Sequence, residues 1–164
     1  MLVLGIDPGT ATTGYGLVRE NQDGSLTVVD YGIVSTPAGQ PMPERLLELH
    51  RQLSEIIQLH RPDSGAVEKL FFSRNVTTAL TVGQARGVAL LSIAQSGASV
   101  NEYTPMEIKQ AVAGYGGAGK QQVQQMVRAL LSLSEVPRPD DAADALAVAI
   151  SQIPSAGFQR LTGN

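Results

Sequence analysis

The sequence predicts an α/β fold in which one five-stranded mixed sheet carries helices on both faces. Two observations lead to this fold class. Strand-like runs come first, at residues 2–7, about 14–20 and about 25–35. From about residue 44 onward, helical spacings alternate with short strand-like runs. The resulting order, β-β-β-α-β-α-β-α, is typical of a mixed sheet with helices on its two faces.

The first three strands form a predicted meander. The run Leu2-Val3-Leu4-Gly5-Ile6 is continuously apolar, which is typical of a buried strand. Asp23-Gly24 is a tight-turn sequence between the second and third strands, and Gly14 and Gly16 lie within the second. We therefore expect three consecutive strands joined by short connections.

The later elements follow from changes in hydrophobic period and from proline and glycine breaks. Leucine and isoleucine residues between Pro43 and Pro62 have helical spacing. Further helices are predicted at about 75–95, 105–113, 119–132 and 141–153, and strands at 64–68 and 98–103.

Length and composition indicate one domain. A chain of 164 residues, 43% hydrophobic and 16% charged, can bury a full core but cannot hold a second large domain. We expect this domain to span residues 1–154 and residues 155–164 to form a mobile tail. The sequence shows no run of 18 apolar residues, and its start lacks the basic segment of a signal peptide. A cytoplasmic protein without a membrane span is therefore expected.

The side chains available for metal binding restrict the kind of metal. Cysteine is absent, and the two isolated histidines, His50 and His60, cannot form a zinc cage. Any metal would therefore be a hard cation with oxygen ligands.

Four acidic residues are expected to converge at one edge of the sheet. Asp7 ends the first strand and Glu68 ends the strand at 64–68, and the carboxyl ends of neighbouring parallel strands meet. Asp141 and Asp144 are three positions apart, so they share one face of a helix. Four carboxylates suit magnesium or manganese, and two ions about 4 Å apart would activate water and stabilise the leaving oxygen of a phosphodiester.

Each acid also has a structural interpretation. Asp140, Asp141 and Asp144 open a helix, where capping and the helix dipole favour acids. Asp7 precedes Pro8-Gly9-Thr10 and is a good turn opener. Glu68 is harder to explain in this way, because a carboxylate ending an apolar strand is costly unless a cation meets it. The four together favour a metal site, with Asp140 as a helix cap or, if the register shifts by one, a ligand.

The net charge of −3 argues against nucleic-acid binding, which usually requires a basic face. Divalent cations held by the acids would cancel part of this charge locally. The basic residues that would then form a stripe around the site, or else remain ordinary surface, are Lys69, Arg74, Arg86, Lys109, Lys120 and Arg128.

Longer motifs around these residues resemble a known family. They are Leu4-Gly-Ile-Asp-Pro-Gly-Thr10, Thr13-Gly-Tyr-Gly16, Val67-Glu-Lys-Leu-Phe71, Val82-Gly-Gln-Ala-Arg-Gly-Val-Ala89, Lys109-Gln110, Lys120-Gln-Gln-Val-Gln124, Met126-Val-Arg128 and Asp141-Ala-Ala-Asp-Ala-Leu-Ala147. In this order, over nearly the whole chain, they resemble the RuvC family of bacterial Holliday junction resolvases.

The resemblance implies an RNase H-like fold and a DNA endonuclease. The acids that match the family's two-magnesium site are Asp7, Glu68, Asp141 and Asp144, with manganese as an expected substitute. A homodimer would make paired symmetric nicks in a four-way junction, and RuvA and RuvB would be partners in branch migration. The residues expected to contact DNA are Phe71, Arg74, Lys109 and Lys120. Phe71 has core packing as its alternative.

Other interpretations remain open at this point. Gly5-Ile-Asp-Pro-Gly-Thr10 also resembles the phosphate-binding turn of sugar kinases and actin-like ATPases, although 164 residues cannot hold their duplicated domain. Gly114 to Lys120 matches a P-loop, but Gln121 stands where Ser or Thr belongs. A non-catalytic junction binder would keep the basic residues and make the acids structural.

One helix face has two possible roles. Leu80, Val88 and Leu91 lie on the helix predicted at about 75–95. They would either pack in the core, which is the commoner role, or form a dimer contact.

Overall fold

The structure is a computed structural model that describes residues 1–69 and 76–162, with side chains described for 1–69 and 76–153. Within these residues the strands are β1 Leu2–Asp7, β2 Thr12–Glu20, β3 Leu26–Ser35, β4 Ser64–Glu68 and β5 Ser99–Tyr103. The helices are α1 Met42–His60, α2 Val76–Gln95, α3 Pro105–Ala113, α4 Lys120–Leu130 and α5 Asp140–Thr162.

The five strands form one mixed sheet in the order β3-β2-β1-β4-β5. β1 pairs antiparallel with β2 and parallel with β4, and β4 pairs parallel with β5. Ile6 lies opposite Val67 in the β1–β4 ladder, so Asp7 and Glu68 leave the sheet side by side. The predicted mixed sheet is confirmed, and its two adjacent parallel strands end in acids.

Helices cover both faces of the sheet, as predicted. Val3 packs into a core formed with α3, α4 and α5, whereas Leu4 and Ile6 pack into a core formed with α1 and α2. This alternation follows from the two-residue period of a strand. Because Asp7 has the same parity as Val3, its carboxylate belongs to the face that α5 covers.

α5 lies unusually close to the sheet because the strands beneath it carry glycines. A Cβ on Gly5 would lie 2.2 Å from the carbonyl oxygen of Ala145, and one on Gly14 would lie 1.9 Å from that of Asp141. No side chain fits at either distance. These two glycines therefore let the first turns of α5 rest on the ends of β1 and β2, directly over Asp7.

α2 is long and apolar enough, by length and composition alone, to cross a membrane. Its packing identifies it instead as a helix of the domain core. Ala85, Ala89 and Ile93 are buried against the sheet and α1. Arg86, in the middle of the helix, forms an ion pair with Glu102 of β5.

Core packing was the commoner of the two roles expected for Leu80, Val88 and Leu91 on α2. It is wrong for two of these three residues. Leu80 is 65% exposed and Leu91 is 52% exposed, whereas Val88 packs against the core as expected. Leu80 and Leu91 are eleven positions apart, which is close to three helical turns, so they lie on one outward face. Apolar periodicity alone could not distinguish the core face of α2 from this second face.

The structure corrects two of the predicted element boundaries, the start of β2 and the end of α5. β2 begins at Thr12, about two residues earlier than predicted, because its ladder with β3 extends to Thr12 opposite Ser35. α5 continues to Thr162, so its predicted end at residue 153 is wrong. Pro154 follows that residue and disfavours a helix interior without excluding it. Mobility of residues 155–164 remains a prediction.

Replacing Gly5 by alanine is expected to lower the free energy of unfolding by about 1–3 kcal/mol, because the new methyl group would force α5 away from β1. Gly39→Ala is a matched control, since a Cβ there meets no atom within 4 Å in the described structure. Chemical denaturation of the two variants checks this prediction. Equal stability of both variants would show that the close contact is not a packing constraint.

Candidate active site

The structure brings the four predicted acids together at the carboxyl end of β1 and β4. Asp7, Asp141 and Asp144 each offer a carboxylate oxygen, and these oxygens all lie within 4.8 Å of one another. Glu68 adjoins this group through a hydrogen bond between its side chain and that of Asp7. Two strand ends and the first two turns of α5 thus supply one set of oxygen ligands.

Asp7, Glu68 and Asp144 of this group have raised pKa values. Burial raises the pKa of Asp7, and the negative charges of Glu68, Asp144 and Asp141 add to this effect, so that the pKa rises from 3.8 to about 8. Burial also raises the pKa of Glu68 and of Asp144. Without a cation, the group therefore retains a proton near neutral pH, shared in the Asp7–Glu68 hydrogen bond.

These residues fit a hard divalent cation. The ligand atoms are all carboxylate oxygens, which magnesium and manganese prefer. The pKa of Asp7 is raised by burial and, in addition, by the neighbouring negative charges, and a divalent cation would offset those charges. Asp7, Asp141 and Asp144 would hold such an ion, with Glu68 beside Asp7.

The turn after β1 fixes the direction of Asp7. The hydroxyl of Thr13, which is fully buried, donates to the carbonyl oxygen of Gly9 at 2.6 Å and accepts from the N–H of Gly9 at 3.3 Å. Because this N–H is already engaged, it is not free to hold a nucleotide phosphate. The turn therefore favours a support for Asp7 over the phosphate-binding turn of a sugar kinase.

Two of the predicted DNA-binding lysines lie next to the acids. Lys109 and Lys120 line a cleft of about 260 Å³ together with Glu68 and Asp144. The Nζ atom of Lys120 lies 2.9 Å from Oδ2 of Asp144. Positive and negative groups thus meet at one opening, as an enzyme acting on a phosphodiester requires.

The other predicted DNA contacts are not all at this opening. Phe71 and Arg74 lie outside the described residues. The guanidinium of Arg86 pairs with Glu102 of β5, which offsets its charge. Arg128 is in the last turn of α4, about 12 Å along the helix from Lys120. Lys69 is exposed directly after β4.

The glycine-rich segment before Lys120 connects two helices. α3 ends at Ala113, Gly114 adopts a left-handed conformation with φ of 85°, and α4 begins at Lys120. A P-loop would connect a strand to a helix. The segment instead serves to place Lys120 at the start of α4, beside α5.

Three features of this region do not follow from the sequence motifs. α5 begins at Asp140 itself, and the carboxylate of Asp140 pairs with Arg138 and Lys120 instead of acting as the expected helix cap. Gln124 of α4 is buried beside it. The only signal in the sequence is the charged run from Arg138 to Asp141 after Pro137.

Comparison with known proteins identifies the family to which this arrangement belongs. The family model of the crossover junction endodeoxyribonuclease RuvC matches residues 3–152. The chain belongs to the RuvC family. RuvC of Chloroflexus aurantiacus is 63% identical over 150 residues, which cover 92% of this chain and 91% of that protein. RuvC of Rubrobacter xylanophilus is 56% identical over 163 residues, or 99% of this chain and 90% of that protein.

Solved structures support the same assignment. The RuvC structure of Thermus thermophilus aligns with a TM-score of 0.89 at 39% identity, covering 96% of each chain. RuvC from the same organism in complex with a Holliday junction substrate aligns with a TM-score of 0.88 at 36% identity, again over 96% of each chain. The predicted RNase H-like fold and the predicted membership of an endonuclease family in DNA recombination and repair are therefore confirmed.

The raised pKa of Asp7 predicts a pH-dependent stability for the metal-free protein. Between pH 3.8 and about 8 the folded state holds more protons on Asp7 than the unfolded state does. Stability in the presence of a chelator is therefore expected to fall as the pH rises through this range. Asp7→Asn should remove most of the fall and raise the free energy of unfolding at pH 8 by at least about 1 kcal/mol, or about 2–4 °C in Tm.

Thermal unfolding at a series of pH values measures this effect. Glu135→Gln also removes one negative charge, but from an exposed position in the connection between α4 and α5, so it serves as the control. A pH slope that is the same in Asp7→Asn and in the native sequence would contradict the prediction.

Proposed function

We propose that this protein resolves Holliday junctions by magnesium-dependent hydrolysis of phosphodiester bonds, making paired symmetric nicks. The observation that carries the proposal is the convergence of Asp7, Glu68, Asp141 and Asp144 beside Lys109 and Lys120 in a chain of the RuvC family. The Thermus structure with a Holliday junction supports the substrate class.

The proposed mechanism assigns one role to each kind of side chain. The residues that would hold magnesium are Asp7, Glu68, Asp141 and Asp144, and the proton shared by Asp7 and Glu68 would leave when the site is filled. When bound, magnesium ions activate a water for attack on phosphorus and stabilise the leaving oxygen. Lys109 and Lys120 draw the scissile phosphate into the cleft and offset its charge. Phe71 and Arg74 stay predicted DNA contacts on the strength of the family motif.

A non-catalytic junction binder is the second interpretation, and the electrostatics oppose it. A protein that only binds DNA gains nothing from several half-buried carboxylates beside the lysines, because they repel phosphate groups. Their partial burial and mutual repulsion also destabilise the charged form, and both raise the pKa of Asp7. Such an arrangement is understandable where a cation is required for catalysis.

A homodimer is proposed because two symmetric nicks call for a two-fold enzyme. The outward face of α2 supports this proposal, since it exposes Val76, Leu80 and Leu91 in line with Gly87. Apolar residues in line on an exposed helix face are typical of an interface. The partners RuvA and RuvB remain predictions from the family resemblance.

Cleavage of a synthetic four-way junction tests the enzymatic proposal. With magnesium, the native sequence should make paired nicks in the junction but not in linear duplex of the same sequence, and a chelator should abolish them. Asp7→Asn should reduce the single-turnover rate by at least about a hundredfold while junction binding stays equal or becomes tighter, since negative charge facing the DNA is removed. Calcium should support binding and little cutting.

Glu135→Gln should nick as the native sequence does. Tight junction binding without nicks under any metal would favour the non-catalytic interpretation. Retention of near-native cleavage by Asp7→Asn would overturn the assignment of the site.

The dimer is tested separately. Leu80→Glu combined with Leu91→Glu should shift the protein to monomers in sedimentation equilibrium and at least tenfold weaken paired nicking, because charges would be buried at the interface. Leu59→Glu, at an exposed leucine of α1, is the matched control. An unchanged dimer in the double variant would exclude this face of α2 as the interface.

A further inference from the structure

Lys120 occupies an electrostatically unfavourable position in the fold. It is the first residue of α4 and follows Gly119, the N-cap. The amino end of a helix carries partial positive charge, which disfavours a cation. Two carboxylates compensate: Oδ2 of Asp144 lies 2.9 Å from the Nζ atom and Oδ2 of Asp140 lies 3.6 Å from it. The position of the ammonium group therefore depends on both acids.

These two acids have different surroundings. Asp144 belongs to the close group of ligand oxygens with Asp7 and Asp141, whereas Asp140 lies outside that group. Asp140 pairs with two cations, Arg138 and Lys120. It is therefore placed between two positive side chains at the rim of the cleft.

Gln124 adds a second, buried contact from α4. It lies one turn after Lys120, so both side chains face α5. It is only 7% exposed, and its Nε2 atom has no hydrogen-bond partner within the described part of the chain. Its side chain nevertheless lies close enough to Asp140 to influence that carboxylate. An unsatisfied buried amide is unfavourable, so a small approach of α4 to Asp140 would be favourable.

We propose that Asp140 is a positioning residue for Lys120 and not a metal ligand. The inference rests on the proposed function. Once Asp144 is engaged with a cation, Lys120 loses its nearer partner, and Asp140 remains as the carboxylate that keeps the ammonium group at the cleft. The ion pair with Arg138 holds Asp140 in place for this purpose. Without Asp140, the flexible side chain of Lys120 spreads into solvent, and the scissile phosphate meets it less often in the reactive geometry.

An acid at this helix start could also be a metal ligand or a stabiliser of the start of α5, and its removal would then have different effects. If Asp140 were a ligand, with the register of the metal site shifted by one residue, its removal would weaken metal binding. If it only stabilised the start of α5, its removal would act equally whether or not Lys120 is present. A positioning residue affects the reaction through Lys120 alone.

The test is a double-mutant cycle with Asp140→Asn and Lys120→Ala, measured as single-turnover nicking of a synthetic four-way junction under saturating protein. Asp140→Asn is expected to lower the rate about tenfold in the native background and less than about twofold in the Lys120→Ala background. Junction affinity should change less than about twofold. Asp140→Glu, which keeps the carboxylate, should recover most of the rate, and Glu135→Gln controls for the loss of one negative charge.

A second readout, independent of activity, is the binding of Mn²⁺ followed by electron paramagnetic resonance. Asp140→Asn should retain the native affinity within about twofold, whereas Asp144→Asn should lose about tenfold or more. A comparable loss in Asp140→Asn would overturn the proposal in favour of a ligand. An equal rate loss in both backgrounds, or none in the native one, would also overturn it. If the native sequence does not nick the junction, the proposed function fails, and Mn²⁺ binding still decides whether Asp140 is a ligand.

Discussion

The close approach of α5 to β1 and β2 is the constraint on which the remaining structure depends. Gly5 and Gly14 allow helix backbone to lie on strand backbone, with no side chain between them. This contact fixes both the height and the rotation of α5 over the sheet. It thereby places Asp141 and Asp144 over Asp7, although more than 130 residues separate them in sequence. The position of these acids is therefore set by backbone packing and not primarily by their charges.

The same packing imposes an electrostatic cost. Acids that converge at a partly buried sheet edge lose hydration and repel one another, and both effects raise the pKa of Asp7. The fold retains them because the cores on the two faces of the sheet supply stability elsewhere. Lys120 reduces part of the repulsion by pairing with Asp144. Asp144 in turn offsets the unfavourable interaction of the Lys120 ammonium group with the positive end of α4.

The sequence was sufficient for the strand and helix order, because apolar periods and proline and glycine breaks are local signals. It also placed Asp7 beside Glu68, since neighbouring parallel strands end at one edge of a sheet. It could not show that Asp140 faces Arg138 and Lys120, because that depends on where α4 docks against α5. The outward position of Leu80 and Leu91 was hidden for a similar reason, since α2 has apolar residues on both faces.

β1 contributes alternate residues to two separate cores. The face on which Asp7 lies therefore depends on the register of β1 in the sheet. Val3 and Asp7 belong to the α5 face, and Leu4 and Ile6 belong to the opposite core. Insertion or loss of one residue within β1 would exchange every one of these positions at once. A molecule in which Asp7 faces the wrong way is therefore also one whose two cores cannot close. Cellular proteases remove such molecules, so that quality control of folding also acts as quality control of DNA cleavage.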